Sequence, residues 1–190
     1  MAPPDLGHMT PRTRNRIGLI LILVLFTAPL IAAWVLGERG WLPAGKRNYG
    51  TLIQPPRALD AARLVAADGN ALAWRDPGWS WTVLALPGPR CAARCLARLD
   101  ELRRVRVSLN QNATRVRLVL VGELASAELA ALAPLRTVRD LDGALRELLP
   151  TAPDELAVAF VDPQGFLVLR YGVGYDARKL RKDLERVLKS

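Results

Sequence analysis

Trp81-Thr-Val-Leu-Ala-Leu86-Pro-Gly-Pro-Arg90-Cys91-Ala-Ala-Arg94-Cys95 is the stretch from which the rest of the chain can be read. Trp81 to Leu86 is an apolar run suited to a buried strand, and Pro87-Gly88-Pro89 breaks it. A second apolar period follows, with Cys95, Leu99, Leu102 and Leu109 spaced 4, 3 and 7 apart, which is one face of a helix. The spacing places Cys91 in the first turn of that helix. There, free N–H groups and the positive end of the helix dipole favour a thiolate, and Arg90 and Arg94 add positive charge. At i and i+4 the two sulfurs share a face, with a Cα separation inside the disulfide range of roughly 4.4–6.8 Å. The pair either closes as a disulfide or opens as a two-thiolate clip for a soft ion such as Cu(I). These are the chain's 2 cysteines, so no other internal disulfide can form.

Downstream, Val116 to Val121 fits a central parallel strand. Ser126 to Leu135 and Asp142 to Leu149 read as short helices. Leu156 to Val161 is the next buried strand, and Asp162-Pro-Gln-Gly165 turns it back into Phe166 to Tyr171 as an antiparallel hairpin. Asp176 caps a last helix whose apolar face is Leu180, Leu184, Val187 and Leu188. Upstream, Val65 to Trp74 reads as a hairpin with Asp68-Gly69 as its turn, and Asp76-Pro-Gly-Trp79 is a second turn. A β-hairpin, then β-α-β-α, then β-β-α is the order of an α/β, thioredoxin-like domain, here spanning residues 64–190.

Ahead of that domain, residues 1–16 are polar and place Arg12, Arg14 and Arg16 just before an uncharged run from Ile17 to Leu36. As a helix rising ~1.5 Å per residue, the run spans roughly 30 Å, enough for one transmembrane helix. It is longer than a signal-peptide core, Ala32-Ala33-Trp34 is a poor cleavage site, and no cysteine follows to carry a lipid. Trp34 and Trp41 suit the membrane interface. The three arginines set the N-terminus in the cytoplasm. The expectation is a single-pass protein of a bacterial inner membrane with its domain in the periplasm. Residues 37–63, rich in Gly, Pro and Arg, read as a tether, packed on the domain through Tyr49, Leu52 and Ile53.

The formal charge of +9 is spread through an Ala/Leu/Arg-rich sequence and lacks the compact, aromatic-studded patch that a nucleic-acid binder uses. The exception is Arg178-Lys179-Leu-Arg181-Lys182 with Arg186 and Lys189, a solvated helix face or a contact for headgroups or an acidic partner.

Strand, short turn, Cys-x3-Cys at a helix start, an N-terminal anchor and a late strand ending in Asp162-Pro-Gln-Gly165 resemble the SCO/SenC family over roughly Leu64 to Ser190. Asn48-Tyr49-Gly50 and Gln54-Pro55-Pro56 resemble its small membrane-anchored bacterial relatives. The resemblance implies a thioredoxin fold and a role in assembling cytochrome c oxidase. The partner would be an oxidase subunit or one of its assembly factors, and Cys91 and Cys95 would serve as thiol pair and copper ligands. The family's copper site adds a distal histidine. Counting back from Asp162 puts that position near Asp154, whereas the chain's single histidine is His8 in the tail. A carboxylate is a poor ligand for soft Cu(I). Leu96 also stands where the family has proline, and Pro153 is several residues early for the cis-proline of thioredoxin-like reductases. Two other functions fit the residues. One is a general periplasmic thiol–disulfide oxidoreductase in which Cys91 attacks and Cys95 resolves. The other is a non-catalytic membrane-anchored docking module.

Overall fold

The protein is described here by a computed structural model over residues 11–38 and 48–189, in two units, Met1–Lys46 and Arg47–Ser190. In the first unit, helix α1 covers Pro11–Glu38. Within it, the 22 residues Asn15–Leu36 have a mean hydropathy of 2.8 and meet the length and composition of a membrane span. Pro29 lies inside this helix, and two residues before it the Thr27 hydroxyl donates to the Leu23 carbonyl at 2.8 Å. His8, Met1, Met9 and Trp41 lie outside the described residues.

The second unit is a seven-stranded sheet with helices. Its elements are β1 Thr51–Ala58, β2 Leu64–Ala66, β3 Trp81–Pro87, α2 Ala93–Val107, β4 Val116–Val121, α3 Ser126–Ala131, β5 Arg136–Asp140, β6 Leu156–Val161, β7 Phe166–Tyr171 and α4 Ala177–Val187. The sheet order is β1-β7-β6-β3-β4-β5-β2. β3, β4 and β5 run parallel, while β6 and then β7 add antiparallel on the other side of β3.

β6 is apolar throughout, and β3 but for Thr82, because both faces of the sheet are covered. On one face Val83, Ala85, Val158 and Phe160 pack with Cys95, Leu99 and Leu102 of α2 and with Leu180 and Leu184 of α4. On the other, Leu84, Leu86, Ala157, Ala159 and Val161 pack with Leu59, Leu64, Trp74 and Leu145. The period-2 alternation therefore feeds two cores from the same strands. Cys95 belongs to the first of them.

Four expectations change. Residues 37–63 are not all tether, since Thr51–Ala58 is an edge strand paired antiparallel with β7. Its Gln54-Pro55-Pro56 falls between the paired residues Leu52 and Arg57, where the register shifts. That is where an edge strand tolerates proline. The expected hairpin over 65–74 shrinks to β2 and an Asp68-Gly69 turn held by the Ala66 N–H to the Asn70 carbonyl at 2.8 Å. The Ser126–Leu135 helix stops at Ala131, and the polar segment after it is the short strand β5, which carries β2 on its outer edge. The helix expected over Asp142–Leu149 is a turn followed by one 3-10 turn, Arg146–Leu148. Gly143 has φ +70°, and the Asp140 carboxylate takes the Ala144 and Leu145 N–H groups at 3.2 and 2.9 Å, which closes the chain locally instead of continuing a helix.

Candidate active site

The site forms where β3 ends. Gly88 follows the strand and lies so close to the Ala152 carbonyl oxygen that a Cβ would collide with it. Its N–H donates to the Glu155 carbonyl at 2.8 Å. Arg90 adopts φ +56°, and Ala92 is the N-cap of α2. The helix therefore begins at Ala93, two residues later than the position expected for Cys91. Cys91 stands just outside it, and Cys95 occupies the first turn. The two are joined as a disulfide with a Cα–Cα distance of 5.1 Å. Cys95 is 0% exposed, whereas Cys91 is half-buried and lines a groove of about 550 Å³ with Pro87, Pro89, Val121, Leu149 and Arg146.

The free N–H groups at the start of α2 are not left for a thiolate. Ala92 has no side chain to cap them, and Asp154 supplies the cap from the loop ahead of β6. Its Oδ1 accepts from the Ala92 N–H at 2.8 Å and the Cys95 N–H at 2.9 Å. Its Oδ2 accepts from the Arg94 N–H at 3.1 Å. The Arg94 guanidinium lies 3.6 Å from the same Oδ2. Asp154 has φ +58°, a conformation that aspartate accepts more readily than most residues, and its own N–H donates to the Pro89 carbonyl at 3.2 Å. The Cys95 N–H holds this carboxyl below the ordinary aspartate value, with the Arg94 and Ala92 N–H groups and the Arg94 charge adding to it. The residue reached by counting back from Asp162 lies at the start of the cysteine helix. Asp154 faces the cysteine helix, but its oxygens bind backbone rather than pointing at sulfur.

A three-ligand copper centre does not fit this donor set. Among the described residues no group of three His, Cys, Asp or Glu side chains is placed to hold a metal ion, and the Asp154 carboxylate at the start of the cysteine helix is engaged by three N–H groups. The arrangement can open and close a disulfide. Cys91 is the sulfur that another thiol or disulfide can reach, and Cys95 is the sulfur sheltered behind it.

Sequence reading did not find Arg146 or Glu123, which line the same groove. Arg146 fell in the segment taken for a helix, and Glu123 in an unpatterned loop. The larger hollow, about 580 Å³ beside Trp79 and Phe166, is lined by residues near the start of β3 and of β7, whereas the cysteines follow the end of β3.

A family model described as "Transmembrane-like, thioredoxin-like, C-terminal domain" matches residues 81–190. Among solved structures, apo Sco1 from Thermus thermophilus is 20% identical with a TM-score of 0.53, covering 76% of this chain and 99% of its own. Copper-bound ScoI from Arabidopsis thaliana is 14% identical with a TM-score of 0.51, covering 74% and 98%. A thioredoxin-like protein from Porphyromonas gingivalis is 21% identical with a TM-score of 0.50, covering 68% and 90%. At these identities the likeness is one of fold. No curated protein sequence matches the chain.

Proposed function

Because this chain belongs to the family of transmembrane-like, thioredoxin-like C-terminal domains, we propose that it is a membrane-anchored thiol–disulfide protein serving the assembly of cytochrome c oxidase. In this reading α1 is the anchor, the N-terminus is cytoplasmic and the domain works in the periplasm of a bacterium. Arg12 and Arg14 ahead of the span, with Arg16 at its start, support that orientation. The oxidase is supplied by the SCO/SenC resemblance. The chemistry rests on one observation, a disulfide with one reachable sulfur and one buried sulfur at the head of α2.

The step balances as follows. The Cys91 thiolate attacks a disulfide between the copper-ligating cysteines of an oxidase subunit, and one partner thiolate leaves. Cys95 then attacks Cys91, releasing the second partner thiolate and closing the internal disulfide. Two electrons pass to the partner, and an external dithiol must restore the pair. Copper enters as cargo. The reduced pair offers two thiolates to one cuprous ion, without the third ligand that the SCO pattern supplies.

The test is reduction of the oxidised oxidase subunit by the reduced full chain in detergent, followed as partner thiol released. One disulfide reduced per chain is expected, and none with Cys91→Ser. Failure of the wild type to reduce it, with retention of a cuprous ion against a competing chelator, would replace exchange with copper delivery.

A further inference from the structure

The chain enters its second unit at a fixed point on α4. Asp183, 1% exposed, accepts the Tyr49 N–H at 2.6 Å and the Gly50 N–H at 3.0 Å. It also takes the Tyr171 hydroxyl at 2.5 Å and an Arg186 N–H at 2.6 Å. Gly50 rests so close to Tyr171 that a Cβ would stand 2.8 Å from the ring. The Tyr49 ring, 48% exposed, lies among three cations: Lys179 Nζ at 5.8 Å, Lys182 Nζ at 5.9 Å and Arg186 Cζ at 5.2 Å.

The helix's own acids neutralise this face only in part, Asp183 pairing with Arg186 at 2.6 Å. Asp183 is turned inward, Glu185 pairs with Arg181 at 2.8 Å, and Asp176 caps the N–H groups of Arg178 and Lys179. Among the described residues Arg178, Lys179 and Lys182 are exposed and form no salt bridge. Val173, 47% exposed between Gly172 and Gly174, lines the same hollow as Tyr49 and Lys179. An exposed aromatic, an exposed aliphatic and several unneutralised cations are the side chains that settle at a headgroup layer.

We propose that this face, Tyr49 with Lys179 and Lys182 at its centre, docks on anionic lipid headgroups. The inference rests on the reading of α1 as an anchor. Between Glu38, where α1 ends, and Asn48 there are ten Cα steps, which reach at most roughly 35 Å when fully extended. A connection of that length allows Tyr49, and the cations clamped around it, to meet the membrane surface. Charge complementarity selects acidic lipids as the occupant.

The full chain is tested by flotation with vesicles of phosphatidylcholine alone or with phosphatidylglycerol, and then by amide exchange of 170–189 in nanodiscs of the same two compositions. The expected result is flotation with both, and protection of α4 only with phosphatidylglycerol. That protection should be lost at high salt and fall roughly thirtyfold in Lys179→Gln/Lys182→Gln, about fivefold for each charge removed. Flotation with both but identical exchange overturns the docking face while leaving the anchor, and an acidic protein segment would become its occupant. Flotation only with phosphatidylglycerol, reversed by salt, supports the face and overturns the anchor. Flotation with neither overturns both.

Discussion

A carboxylate and a thiolate at the start of a helix compete for the same N–H groups. In this protein the carboxylate of Asp154 holds them, through the N–H groups of Ala92, Arg94 and Cys95. A negative charge there opposes a thiolate on the reduced pair and favours the closed disulfide. Asp154→Asn keeps an acceptor oxygen and removes the charge. Alkylation of Cys91 in the reduced chain should then speed up by roughly tenfold at neutral pH, one unit of thiol acidity. Cys95, buried, should remain the slower thiol in both proteins. An unchanged Cys91 rate would show that the carboxylate acts only as a cap. The folded Asp154 carboxyl titrates below its ordinary value of 3.8, so the stability it adds is fully present above that pH and is lost as pH falls through the lower folded value. Thermal melts of wild type and Asp154→Asn should therefore differ at neutral pH and converge in strong acid. Asp154→His supplies an imidazole at the position that the SCO/SenC resemblance implies for the family's histidine. Under a competing chelator, the reduced variant should hold copper that the wild type yields.

At the scale of elements, α4 does two jobs, packing Leu180 and Leu184 into the core and receiving the incoming chain at Asp183. Asp183→Ala leaves two N–H groups and the Tyr171 hydroxyl without their acceptor and should cost about 2–4 kcal/mol in denaturant unfolding. A cost under ~1 kcal/mol would mean that water replaces the carboxylate. Nothing in the sequence marked this residue, because an aspartate inside a basic run reads as one more surface charge. The strands of the sheet centre were legible, since β3, β4 and β6 are buried on both faces and therefore mostly apolar, interrupted only by Thr82 and Arg117. The outer strands were not. β5 buries only Val138, and β1 contains Pro55 and Pro56, residues that normally argue against a strand. The Asp176 cap was legible because cap and capped groups are local. The Asp154 cap joins positions about 60 residues apart, so only a family count led there, and to the position rather than to its bonds.

For the whole molecule, the boundary of the folded unit matters. A chain begun at Leu64 lacks β1, leaving β7 as a bare edge and Tyr171 and Asp183 without the Tyr49 and Gly50 N–H groups. It should be less stable than one begun at Asn48 and more prone to aggregate, as sedimentation of the two would show. Equal behaviour would demote β1 to an accessory strand. The central claim is that Cys91 is the sulfur that meets the partner and Cys95 the one that releases it. Its most direct measurement is trapping. The full chain carrying Cys95→Ser, reduced and mixed with the oxidised oxidase subunit, should stop at a mixed disulfide, which peptide mapping locates at Cys91, while Cys91→Ser forms none. A mixed disulfide through Cys95, or no adduct with either variant, would contradict the account.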